Sequence, residues 1–162
     1  MDAPLNDAVR AMLDALTPAQ LEHIAELVRN DALTGLGNRR SFDERLELEL
    51  GRSARSRKPF ALIFFKLRTL SEHEFRGAAR ALRDAVRLVD FAARTDGDSF
   101  AMILVDVNIA TARAVGQRLL DAMGVQARAG VAGSFPVDTA ATLIERAQAA
   151  LEDAHIQGIS IM

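Results

Sequence analysis

The chain has 162 residues, 20 basic against 22 acidic side chains, a formal net charge of −2, and no cysteine, tryptophan or tyrosine. That length suits one domain with a short appendage, and the near-neutral charge argues against a general nucleic-acid binder. The missing cysteines exclude disulfides, thiol catalysis and thiolate metal sites, and the missing Trp and Tyr leave only Phe or Arg to stack on a base. Among the basic residues only Lys58 and Lys66 are lysines. Arginine suits forked contacts with phosphate, carboxylate and guanine edges, although GC-rich coding would give the same bias.

The N-terminus, from Met1 and Asp2 to Asp7, is acidic and lacks the apolar core of a signal peptide. No apolar run approaches the roughly 20 residues that span a bilayer. A cytoplasmic protein with no membrane partner is the expectation.

Leu5, Val9, Met12, Leu13 and Leu16 fall on one helical face and predict a first helix. Thr17-Pro18 reads as an N-cap followed by proline at the first helical position. The second helix then runs to about Asn30 with Leu21, Ile24, Ala25 and Val28 as its stripe. The two glycines of Asp31–Asn38 break the period and predict a turn. A third helix starts near Arg39, carries Phe42, Leu46, Leu48 and Leu50, and is expected to end at Gly51. The basic run Arg52, Arg55, Arg57 and Lys58 reads as a solvated helix end complementing the dipole. Asp43, Glu44, Glu47 and Glu49 read as solvated acids rather than catalytic ones, and His23, His73 and His155 do not show metal spacing.

Phe60, Leu62, Ile63, Phe64 and Phe65 make a continuous apolar run behind Pro59, the mark of a buried strand. Phe75, Ala78, Ala79, Leu82, Val86 and Val89 repeat at helical spacing. Asp90–Thr95 and Ser99–Val105 predict two strands joined by the hairpin signal Asp96-Gly97-Asp98. A helix over Ile109–Met123, a strand over Val125–Ala132 and a last helix opening at Pro136 complete the pattern. The first six of these elements form a split βαβ arrangement with helices on one face of the sheet.

Asp31-Ala32-Leu33-Thr34-Gly35-Leu36-Gly37-Asn38-Arg39-Arg40 resembles the entry motif of GGDEF domains, the diguanylate cyclases that join two GTP molecules into cyclic di-GMP. Asp96-Gly97-Asp98-Ser99-Phe100 stands in the place of the signature hairpin. Ala129-Gly130-Val131-Ala132 is similar to a further family strand, and Ala147–His155 to the final helix. The resemblance implies an α/β (α+β) fold: a mainly antiparallel central sheet flanked by helices. It divides the chain into an N-terminal helical extension, 1–30, and a degenerate GGDEF domain, 31–162.

The resemblance also implies what is missing. Family cyclases hold metal ions on carboxylates, one of them in an Asp-x-Asp segment at the end of the first core strand. Here that segment is Phe65-Lys66-Leu67-Arg68, and protonated Lys and Arg offer a metal no lone pair. Asp96 places a carboxylate where the family has glycine, and Ser99 replaces a glutamate. Asp98 alone keeps its matched acid, so Lys66 is expected to pair with it across adjacent strands. The alternative is that both point to solvent. Leu70–Arg76 lacks the Asn and Asp that read guanine, His155 stands for a phosphate-facing lysine, and Ile159 replaces a basic residue. The expectation is a catalytically inactive protein with no cofactor.

Arg87-Leu88-Val89-Asp90 has the offset of the family's Arg-x-x-Asp inhibitory site for cyclic di-GMP, and Arg118 falls where a second arginine joins it. Arg can fork onto phosphate or guanine, and a carboxylate can accept from guanine N1 and N2. The plainer reading is a surface i, i+3 pair of little weight. The function expected is a bacterial cyclic di-GMP receptor using Arg87, Asp90 and Arg118. The alternative is a ligand-independent scaffold with a signalling-protein partner, in which the N-terminal helices resemble the stalk that pairs cyclase domains into a homodimer.

Overall fold

The computed structural model describes residues 3–68, 71–155 and 158–162. The readings placed on Met1, Asp2, Leu70 and the Leu5 side chain lie outside the described residues. Helices α1 (Ala3–Asp14), α2 (Pro18–Arg29) and α3 (Arg39–Ser56) precede strand β1 (Phe60–Leu67). Helix α4 (Glu72–Ala85), β2 (Phe91–Asp96), β3 (Ser99–Val105), α5 (Ile109–Met123), β4 (Ala127–Gly133), α6 (Ala140–Asp153) and β5 (Ile159–Ile161) follow.

The five strands are ordered β2-β3-β1-β4-β5. All neighbours are antiparallel except β4 and β5, which are parallel. The central position of β1 explains its continuous apolar run, because both faces are covered. Alternate residues feed two cores. Ala61, Ile63 and Phe65 meet Phe75 and Leu82 of α4 and Leu119 and Leu120 of α5. Phe60, Leu62 and Phe64 meet Phe42 and Leu46 of α3 and Leu143 and Ala147 of α6. The helices of the split βαβ unit, α4 and α5, lie on one face as expected, and α3 and α6, outside that unit, cover the other.

Local chemistry sets the boundaries. Thr17 caps α2 in a reciprocal box with Gln20, and Asn38, Ser71, Asn108 and Thr139 cap α3 to α6. Gly51 does not end α3, which runs on to Ser56 and stops at Arg57 in the left-handed region, φ 57°. Arg52 and Lys58 are not merely solvated, because both reach Asp106, at 2.9 and 3.4 Å. Glu49 is buried rather than solvated, held by Arg45 at 2.9 Å and Arg52 at 2.8 Å. Helix α4 stops at Ala85, so Val86 is its cap and Val89 lies beyond it, half exposed.

The α2 helix has no buried residue, and Leu21, Ile24, Leu27 and Val28 are exposed, as are Val9, Met12 and Leu13 of α1. No helix among the described residues is long and apolar enough to cross a membrane.

Candidate functional site

Three pieces of chain converge at one end of the sheet: the end of β1, the β2–β3 hairpin and the start of β4. The entry motif holds the hairpin in place. Asp31 accepts from the backbone and hydroxyl of Thr34 at 2.9 and 2.7 Å and pairs with Arg94 of β2 at 3.3 Å. Gly37 donates to the Ala92 carbonyl at 3.0 Å and accepts from the Arg94 N–H at 2.8 Å. A Cβ on Gly37 would lie 2.4 Å from the tip of the Phe91 ring, so a larger residue there would have to push that ring aside. Arg94 also donates to the Gly97 carbonyl at 2.8 Å.

The hairpin turns over Gly97 and Asp98, with a register shift between Arg94 and Asp96. Asp96 accepts from the Gly97 N–H at 2.7 Å, and Ser99 donates to Asp98 at 3.0 Å. Phe100 is fully buried, its ring 5.6 Å from that of Phe75. The signature phenylalanine is thus core, while Asp96 and Ser99 face the cleft.

Lys66 Nζ lies 3.6 Å from Asp98 Oδ2, with both side chains nearly half exposed. The cross-strand pair expected from the sequence is present. Lys66 is also the register partner of Arg128 on β4. Arg128 makes a long bond, 3.3 Å, to the Glu152 carbonyl. A cavity of about 320 Å³ beside them is lined by Arg39, Lys66, Asp96, Ser99, Arg128 and Glu152, among others. An adjoining cavity of about 470 Å³ shares Lys66, Arg128 and Glu152 and adds Arg68, His155 and an apolar floor of Leu67, Ala127 and Ala154. Ile159 is directed elsewhere: it pairs with Ala129 and packs on the core beside Gly116.

These residues do not fit a divalent cation. Lys66 and Arg68 bring positive charge to the cleft, and no group of three or more His, Asp and Glu side chains that could hold a metal comes together among the described residues. Arg128 was not singled out by motif. The signal was an arginine between alanines in β4, but its place opposite Lys66 emerges only from the strand register.

Arg87 and Asp90 form more than a surface pair. The Asp90 side chain is 1% exposed and that of Arg87 is 54% exposed. Arg87 forks onto Asp90 with two bonds of 2.8 Å and also donates to the Val105 carbonyl at 2.8 Å. Asp90 further accepts from the backbone N–H groups of Val105 and Arg87 at 3.0 and 3.3 Å. Burial pushes the Asp90 carboxyl up, but these bonds outweigh it and hold it below its usual value. The Arg87 guanidinium is raised by the same pairing. Arg118 stands apart, exposed in a groove between α4 and α5 with Arg80 and Asp84, whose lining includes neither Arg87 nor Asp90.

The family profile described as diguanylate cyclase, GGDEF domain, matches residues 28–160. The probable diguanylate cyclase DgcE of Escherichia coli (strain K12) is 28% identical over 114 residues, covering 64% of this chain and only 10% of that protein. The coiled coil and GGDEF domain of DgcB from Caulobacter crescentus, a complex with c-di-GMP, superposes with a TM-score of 0.83 at 19% identity. That match covers 99% of this chain and 98% of that one. The diguanylate cyclase SiaD of Pseudomonas aeruginosa, in complex with its activator SiaC, gives 0.79 at 25% identity over 99% of this chain and 70% of that one.

Proposed function

We propose, from the premise that the chain belongs to the GGDEF family of diguanylate cyclase domains, that it does not make cyclic di-GMP but binds it as a receptor. The observation that carries the inactive reading is the Lys66–Asp98 pair at 3.6 Å. An ammonium sits on the matched metal acid, and the strand that should supply a second carboxylate supplies cations instead. With GTP and excess Mg²⁺ or Mn²⁺, the expected chromatogram contains no cyclic di-GMP above a protein-free control. Product formation at any protein-dependent rate overturns this reading.

The receptor reading rests on two exposed guanidiniums, Arg87 and Arg118. Asp90 spends its acceptor positions on Arg87 and Val105, so its part is to aim Arg87 outward. Arg87→Ala would disturb this buried carboxylate. Arg118→Ala is the cleaner variant, because no ion pair of Arg118 occurs among the described residues. Calorimetric titration with cyclic di-GMP is expected to give saturable binding, weakened about tenfold or more in Arg118→Ala with unchanged melting temperature.

The exposed apolar stripes of α1 and α2 favour a second reading, a protein-interaction module. Molecular size measured along the same titration separates the two. Absence of ligand binding, together with a concentration-dependent dimer, selects the module.

A further inference from the structure

At the far end of the sheet from the cleft, where β1 begins and β3 and β4 finish, an apolar recess lies beside unpaired arginines. Val105 pairs with Phe60 and Gly133 with Ala61 at this end. A cavity of about 230 Å³ is lined here by Pro59, Phe60, Val107, Ile109, Phe135 and Met162, among others. Phe135 is 57% exposed and Val137 89%. The loop that carries them is pinned. Ser134 donates its N–H to the Phe60 carbonyl at 2.8 Å, and its hydroxyl accepts from the Phe60 N–H at 3.0 Å. The Asp138 side chain, 7% exposed, accepts from the Phe135 N–H at 2.7 Å and pairs with Arg146. Arg146 also donates to the Gly133 carbonyl at 3.0 Å, and its guanidinium carbon lies 4.5 Å from the centre of the Phe135 ring. Pro136 fixes one more dihedral of the loop. The recess is therefore preformed, and an occupant need not order it.

The chain enters the recess at Pro59 from the basic end of α3. The acids of this region are already engaged: Glu49 by Arg45 and Arg52, Asp106 by Arg52 and Lys58, and Asp138 by Arg146. Arg55 and Arg57 are exposed and make no ion pair among the described residues. Adding the exposed Glu145 and a carboxylate at Met162 to those three acids still leaves the cations in excess. The end of a helix carries about half a negative charge, less than two unpaired guanidiniums. Arg57 stands two residues before Pro59, a backbone span of about 7 Å at most.

We propose that this surface captures a short acidic segment of another protein. One large apolar side chain of that segment fills the recess, and its carboxylates meet Arg55 and Arg57. The cavity takes one or two side chains and is smaller than the roughly 300–1,000 Å³ of small-molecule sites. A recess with an aromatic wall and fixed cations on its rim suits an anchor residue on a peptide, whereas a lipid surface would leave it unfilled. None of the residues used belongs to the cleft or to the Arg87 and Arg118 reading, so the proposal stands apart from both.

The test is selection on the full chain from a random twelve-residue peptide library, followed by fluorescence titration of the enriched peptides. Enrichment of peptides that join an aromatic or large aliphatic residue to two or more acids is expected. Their affinity should fall about tenfold or more in Phe135→Ser. It should fall severalfold in Arg55→Gln with Arg57→Asn, asparagine being tolerated at the left-handed cap. Added salt should weaken binding to the parent more than to that double variant, because exposed charges are screened. Val137→Ser, at a nearly fully exposed position, should lose severalfold with unchanged melting temperature and guards against a folding defect in Phe135→Ser. No enrichment, enriched peptides without acids, or affinities unchanged in Phe135→Ser overturns the proposal. So does binding to vesicles of anionic phospholipid with no peptide enriched, which assigns the surface to lipid. Self-association that is lost in Phe135→Ser, again with no peptide enriched, overturns it in favour of a second copy of the chain.

Discussion

Replacing Gly130 by alanine is expected to loosen α6 from the sheet and to cost about 3 kcal/mol or more, the upper range for overpacking a core. A Cβ at Gly130 would lie 2.1 Å from the Leu151 nitrogen, 2.4 Å from the Ala147 oxygen and 2.6 Å from the Leu151 Cα. All three are backbone atoms of α6, so no rotamer change can relieve the clash. The helix must shift outward, and with it the buried Leu143, Ala147 and Ala150. In a chain of this size that loss corresponds to roughly 10 °C in Tm. Gly97→Ala is the control: its Cβ meets nothing within 4 Å and its φ is not in the left-handed region. Equal urea midpoints for Gly130→Ala and the parent would refute the close-packing argument.

Asp90→Ala is expected to cost about 2–3 kcal/mol, because it leaves the buried Val105 N–H without its acceptor and frees the Arg87 fork. The half-exposed Arg87 can turn to water, so the double variant Arg87→Ala with Asp90→Ala should cost little more than Asp90→Ala alone. A full additive loss would contradict this. The Asp90 pKa in the folded chain lies below its ordinary 3.8. Its stabilisation is therefore complete above the unfolded value and is lost as pH falls through the lower, folded one. Asp90→Asn should flatten the acid limb of the stability profile, which unfolding midpoints between about pH 5 and 2 would register.

Much of this architecture was legible because single elements were locally consistent. Helix α5 and strand β3 have the bounds that period and punctuation indicate. The departures share a cause, which is tertiary contact acting on weak local signals. Helix α3 runs through Gly51 because Arg52 pairs with Glu49 across that turn and with Asp106 beyond it. Glu49 looked solvated because nothing in its neighbourhood reveals that Arg45 and Arg52 close over it. Helix α4 stops early because the Asp90 carboxylate takes up the Arg87 N–H just beyond its end. Strand β5 has three residues and no readable period; it exists by pairing with Ala129–Val131. At the site, the signature residues and Lys66 were found by motif. Arg128 was missed because its significance depends on which strand lies beside β1.

The entry motif has a second consequence, for the protein's behaviour in a crowded solution. A sheet ends in two rows of backbone groups ready to recruit a strand from another molecule. Here Gly37 occupies the outer side of β2 by bonding Ala92 and Arg94, and β5 lies along the outer side of β4. The ten-residue string that marks the family thus also serves as an edge guard, working against strand-by-strand polymerisation at one margin, while the other margin is β5, an edge only three residues long.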